Sequence, residues 1–224
     1  MNQKIPPWLW IAAFLLSWSS GSLNGSTFLH SGFVGVSHIT GNLTLIGLKF
    51  FRGDRAFGWF LFALLFGFFL GGVLSGIFVR NEHFQIGRRY GVALFTEAWF
   101  LALAFPIISA GYLYGYVLVS AALGLQNAMV TTFSGAIVRT THMTGILTDF
   151  GAGIGNWISG RKPSRKAFFM QFLLLSGFLI GAISSWPLYN LLGLGILLFH
   201  GALSGLMGFL YLVFVRKISQ KRSG

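Results

Sequence analysis

The sequence predicts an all-α polytopic membrane protein built from two pseudo-symmetric halves, and three observations carry that prediction. The first is composition. Of 224 residues, 54% are hydrophobic and 9% are charged, with a mean hydropathy of +0.73. A soluble domain carries about 25% charged residues, so this chain cannot cover a water-facing surface with polar groups. The second is spacing: eight apolar runs follow one another with short links. The third is an internal repeat. "HITGNLT" (38–44) aligns with "HMTGILT" (142–148), identical at five of seven positions, and a fixed-period repeat is the strongest organisational signal a sequence holds.

The runs fall at 8–28, 30–51, 55–79, 91–110, 112–134, 136–158, 166–186 and 188–214. The first opens as "MNQKIPPWLWIAAFLL", a basic residue before an apolar stretch, as in a signal peptide. It is read as retained, because its polar end at Asn24 has a counterpart at Asn127 in the fifth run. The second run is Gly-interrupted ("SGFVGVS"), and a clean helical pattern starts only at His38. About fourteen residues to Phe51 give about 21 Å of helix, short of the roughly 30 Å hydrocarbon core. The third run, "FALLFGFFLGG", matches the seventh, "FLLLSGFLIGA", placing Gly67 and Gly71 opposite Gly177 and Gly181. Small residues four apart let helix backbones approach closely in lipid. Packing within one subunit is the plainer reading, and a homodimer face is the sharper one. The fourth run carries Glu97, the sixth repeats the broken pattern as "SGAIVRTT" with Arg139, and the eighth carries His200. The fourth and eighth runs align only weakly, through Leu94-Phe95 and Leu198-Phe199.

The whole chain, 1–224, is thus expected to be one membrane domain, with repeats at about 8–110 and 112–214 and a short or broken helix in each. Six to eight spans fit, and charge counting does not choose. If the motif segments cross, there are eight spans and parallel repeats, with 49–55 cytoplasmic and 80–89 outside. If they are re-entrant, there are six spans and inverted repeats, with 80–89 cytoplasmic and 49–55 outside. Each arrangement misplaces one basic cluster, and both put the termini in the cytoplasm. The net charge of +12 is read as positive-inside topology rather than nucleic-acid binding, since no basic face or stacking platform accompanies it. The chain has no Cys, which removes disulfides, thiolate catalysis and Cys-ligated metals.

Paired, Gly-broken segments in corresponding places point to a transporter's binding site. Irregular backbone at membrane depth is tolerated only where protein or water covers it. Ser37 or Thr40, and Thr140, Thr141 or Thr144, could cap the short helices, whose starts favour an anionic or electron-rich group. Gly41 and Gly145 leave room for close approach. Thr44 and Thr148 lie one turn beyond Thr40 and Thr144 on the same face, so a hydroxyl face would line a site. Satisfying the broken backbone is the bland alternative for any single Thr. His38 and His142 head the motifs and could bind solute or carry a proton. Asn24, Asn42 and Asn127 could offer amide groups.

Four acidic residues are present. Asp54 and Glu82 sit in charged links. Glu97 and Asp149 lie within apolar runs, where a carboxylate costs about 2.5–3.5 kcal/mol on insertion scales, and they are the candidate coupling groups. Arg139 could pair with Asp149 or clamp an anion. Nothing calls for a metal, a cofactor or ATP, as no Gly-x-x-x-x-Gly-Lys-Ser/Thr loop occurs.

"GSLNGSTFLHSGFVGVSHITGNLTLIGL" and "GLQNAMVTTFSGAIVRTTHMTGILTDFG" resemble the YoaK-type family of bacterial membrane proteins, a domain of unknown function. The likeness rests on Thr40-Gly41-Asn42, on Gln126-Asn127-Ala128 and on Thr144-Gly145-x-Leu147-Thr148. It implies a bacterial inner-membrane protein of about six spans and supplies no substrate. The function expected is a secondary transporter of a small polar or anionic solute, proton-linked, with its site between the two motif helices. A channel is the second class. An enzyme is third, since no Gly-x-Ser-x-Gly elbow, His-Glu-x-x-His or close carboxylate pair is present.

Overall fold

The computed structural model describes residues 7–32, 35–79, 89–134, 140–161 and 164–223. Every regular element among them is helical. In chain order these are α1 (Pro7–Ser31), α2 (Ile39–Phe51), α3 (Arg55–Phe78), α4 (Arg89–Ser109), α5 (Gly115–Ser134), α6 (Met143–Ile158), α7 (Arg165–Leu192), a 3-10 turn (Gly193–Gly195) and α8 (Ile196–Ser223). By length and composition, three stretches are apolar enough to cross a membrane: α3, α4 and the joined stretch 165–216. The last is broken at Gly193, whose φ of 54° lies in the left-handed region that glycine adopts without strain.

The apolar runs became helices within a few residues of their expected bounds, with two departures. α7 runs on through Pro187 to Leu192, and α8 continues into the basic tail. α2 and α6 are the short elements, at 13 and 16 residues. Asp54 caps α3 and Ser164 caps α7, each accepting from a backbone N–H three residues on. Asp54 also accepts from Lys49 at 2.8 Å, and that bond holds its carboxyl below the usual range.

Packing brings together helices distant in sequence. α1 lies on α7, α3 on α5, and α4 on both α8 and α5, while α2 rests on α3 and α6 on α7. Glycines set the first two crossings. A Cβ at Gly21 would strike the Phe178 carbonyl, and one at Gly181 the Trp18 carbonyl. At the other crossing, a Cβ at Gly71 would strike the Ala121 carbonyl, and one at Gly124 the Phe68 carbonyl. The glycine pattern read from the sequence is therefore spent on crossings inside one chain. The order of contacts also gives direction. On α1, residues 17, 21 and 25 meet residues 174, 178 and 185 of α7, so the two helices run parallel. Gly67, Gly71 and Gly72 meet Val117, Ala121 and Ala128, so α3 and α5 are parallel too. Gly91 meets Leu212 and Gly201 meets Ala98, so α4 and α8 are antiparallel.

Candidate functional site

The middle of α1, from Leu16 to Thr27, is largely buried, although much of it is polar. Ser17, Ser19, Ser20, Ser22, Asn24, Ser26 and Thr27 are all at most 3% exposed. Small hydroxyl side chains are tolerated there because they return hydrogen bonds to their own helix. Ser26 donates to the Ser22 carbonyl at 2.7 Å and Thr27 to the Asn24 carbonyl at 2.9 Å. The rest reach neighbours. Ser17 donates to the Leu174 carbonyl at 2.8 Å.

Asn24 holds the break that precedes α2. Its amide donates to the Ser20 carbonyl and to the Ser37 hydroxyl, both at 2.8 Å. Its oxygen accepts from the Ser37 N–H at 3.1 Å. Asn127 does similar work before α6, accepting from the Thr141 N–H at 3.4 Å. Ser37 and Thr141 each precede the motif histidine, so the equivalence of Asn24 and Asn127 inferred from sequence recurs as an equivalent role. Asn42 donates to the Gly35 carbonyl at 3.0 Å and is buried. The expected caps differ: His38 and His142 occupy the cap positions of α2 and α6 and make no side-chain cap bond. Ser37 is held by Asn24 and so is not the cap.

The motif helices do not form a common groove. α2 packs on α3 and α6 on α7, not on each other. Thr40, Thr44, Thr144 and Thr148 are exposed in the single chain, as are His38, Gly41, His142 and Asp149, and Gly145 is half-buried. Thr44 and Thr148 donate back to the Thr40 and Thr144 carbonyls at 3.1 and 2.9 Å. Periodicity correctly placed these hydroxyls on one helical face. It carries no information on which way that face turns, and here it turns outward. Arg139 lies outside the described residues, and with it the expected contact to Asp149.

What the chain gathers at its centre is a different set. Gln126 donates from its amide to the Leu16 carbonyl at 3.0 Å and the Ser20 hydroxyl at 2.9 Å. Its Oε1 is buried without a partner, as is the Thr140 hydroxyl. The Ser120 hydroxyl lies 2.7 Å from the Val36 carbonyl and 2.8 Å from the Leu64 carbonyl, tying the first break to α5 and α3. Glu97 is fully buried where α4 meets α8. Its two carboxyl oxygens have no hydrogen-bond partner, and Ser204 faces them short of hydrogen-bonding geometry. On α8, His200 reaches α1. Ser120, Ser204 and the α1 serines gave little sequence signal, because single polar residues inside apolar helices have no period to stand out against; Gln126 stood out only as part of Gln126-Asn127-Ala128. An apolar cavity of about 360 Å³ borders this seam at Leu16, between α1, α4, α5 and α8, walled also by Trp8, Met129, Met207 and Tyr211.

These features define a class: an all-helical protein whose long apolar helices associate with a membrane around a buried polar seam. The chain belongs to the family described as protein of unknown function (DUF1275), which matches residues 12–210, and the YoaK-type likeness agrees with that match. No curated protein and no solved structure matches the chain.

Proposed function

We propose that this protein is a six-span secondary transporter of the bacterial inner membrane, carrying a small polar or anionic solute and coupled to protons through Glu97. The helix directions support the topology. With α1 running outward, α7 runs outward and α8 returns. α4, antiparallel to α8, runs outward, α5 returns, and α3 runs with α5. α1 therefore ends, and α3 begins, on the same side, so α2 is a re-entrant dip from outside. α6 is the same from inside. The halves are then inverted repeats, with both termini in the cytoplasm, and the short Gly–broken segments are where such transporters place their sites. The matched bonds Ser17–Leu174 and Ser120–Leu64 fit the same two-fold relation. α1 and α5 carry the polar seam, and their neighbours shield it.

One observation carries the reading of function. Where α5 meets α1, and at the second break, buried polar groups keep hydrogen-bonding capacity that the chain leaves unused, namely Gln126 Oε1 and the Thr140 hydroxyl. Buried polar groups are normally satisfied, and those that are not stand ready for a ligand. Asn24 lies seven residues inside the end of α1, and Asn127 seven inside the end of α5. That puts both about 10 Å inside the C-terminal ends of their helices, about a third of the way into a core of roughly 30 Å, and in the proposed topology from opposite faces. We place the solute there rather than along the outward-turned Thr faces. The test is uptake into liposomes by the purified protein over a panel of small acids, amides and polyols. Saturable uptake that falls at least about tenfold in Thr140→Val, with normal folding, is expected, because that hydroxyl supports no other group. Unsaturable conductance would favour a channel. Loss in Thr40→Val and Thr144→Val but not in Thr140→Val would return the site to the motif helices.

A further inference from the structure

Glu97 and His200 are both 0% exposed. Apart from tyrosines, they are the buried ionisable side chains among the described residues. The α4–α8 crossing that carries them is close: a Cβ at Gly201 would lie 3.2 Å from the Ala98 carbonyl oxygen, and one at Gly208 3.2 Å from that of Gly91. Ser204 links the two. It faces Glu97 and follows His200 by four residues, so it shares a helical face with it at about 5–6 Å between Cβ atoms.

The surroundings of His200 suit a ring that changes charge. Nδ1 lies 2.9 Å from the Ser19 hydroxyl and Nε2 2.9 Å from the Ser22 hydroxyl. The Trp18 and Phe199 rings flank it, each at 5.2 Å between centroids. A neutral imidazole donates from one nitrogen and accepts at the other, whereas an imidazolium donates from both. A hydroxyl can do either, so rotating one O–H lets the two serines satisfy both forms. Carbonyl partners would have fixed the roles. No second charge competes at the ring. The charged residues of α4 and α7 other than Glu97 stand at the helix starts, at Arg89, Arg165 and Lys166. His30 on α1 and Tyr189 on α7 bond one another at 2.6 Å.

We infer that Glu97 and His200 form one exchangeable pair that shares a proton across the α4–α8 crossing. This rests on Glu97 being the coupling group and adds its partner. In one form the pair is a carboxyl and a neutral ring; in the other it is a carboxylate and an imidazolium. In the exchange the Glu97 O–H bond breaks and an N–H bond forms on His200. The serine that donated to that nitrogen rotates to accept, and the Ser204 hydroxyl turns to donate to the carboxylate. The exchange itself leaves the net charge of the pair unchanged and so avoids a lone buried ion, the state that costs most there; a charge appears only when a proton is loaded or released. Loading from either side then adds or removes one proton from the pair.

The full chain in nanodiscs can be followed by infrared absorption of its carboxyl groups as pH changes. The chain has only four acidic side chains, and subtracting Glu97→Gln isolates the band. The expected result is a Glu97 carboxylate fraction about tenfold lower in His200→Gln than in wild type at one fixed pH, the size expected of coupled sites. In parallel, nitrogen NMR of labelled histidine should show the His200 ring changing charge in wild type and not in Glu97→Gln, a readout that does not need His200→Gln to fold. A Glu97 band that titrates identically with and without His200, and a His200 signal blind to Glu97→Gln, would overturn the pair and leave the coupling role standing. A Glu97 band that never titrates would overturn both.

Discussion

At the scale of single residues, the account depends on amides and hydroxyls that hold broken backbone in place. Asn24 makes two hydrogen bonds to Ser37 across the first break, at 2.8 and 3.1 Å, and a third to the Ser20 carbonyl of its own helix at 2.8 Å, and Asn127 is seen to make a single long one to the second break, at 3.4 Å. Removing a side chain that leaves buried partners unsatisfied costs about 1–3 kcal/mol. Asn24→Ala should therefore lower the melting temperature in detergent clearly, and Asn127→Ala by less than half as much. Equal effects would mean that the two breaks are held alike. Asn24 and Asn127 were legible in the sequence because the repeat aligned them. His200 and Gln126 were harder to read. Their roles depend on which helix lies opposite, and α1 meets them across 178 and 110 residues of chain.

At the scale of elements, glycine decides how closely helices approach. Gly71 and Gly181 each leave no room for a Cβ beside a carbonyl of the partner helix, whereas Gly47 and Gly155 face open space. Gly71→Ala and Gly181→Ala should each destabilise the fold by about 1–3 kcal/mol, the usual cost of overpacking, seen as lower yield of monodisperse protein and earlier melting. Gly47→Ala and Gly155→Ala should melt with wild type. The sequence showed that Gly67, Gly71, Gly177 and Gly181 would be used in packing, since their spacing alone argues it. It did not show the partner. The crossing uses Gly21 and Gly124 from the other half, in helices whose own small residues read first as polar. The short helices were legible as elements for the same local reasons, His38 and His142 marking their starts. The direction of their hydroxyl faces was not, because amphipathic spacing is blind to what lies on either side.

At the scale of the whole molecule, composition and repeat gave an apolar helical bundle in two halves, but charge counting left its topology undecided. On the proposed reading, the directions of α1, α7, α3, α5, α4 and α8 favour six spans with α2 and α6 re-entrant from opposite sides. The transport proposal depends on it, since only inverted halves bring the two breaks into the bilayer from opposite faces. The native chain has no Cys, so single cysteines can be read without background. Arg52 and Ser159 are exposed and end α2 and α6. A membrane-impermeant maleimide applied to intact spheroplasts should label Arg52→Cys fully and Ser159→Cys only after the membrane is opened. Protection of both until opening is the eight-span, parallel result, and it would contradict the account.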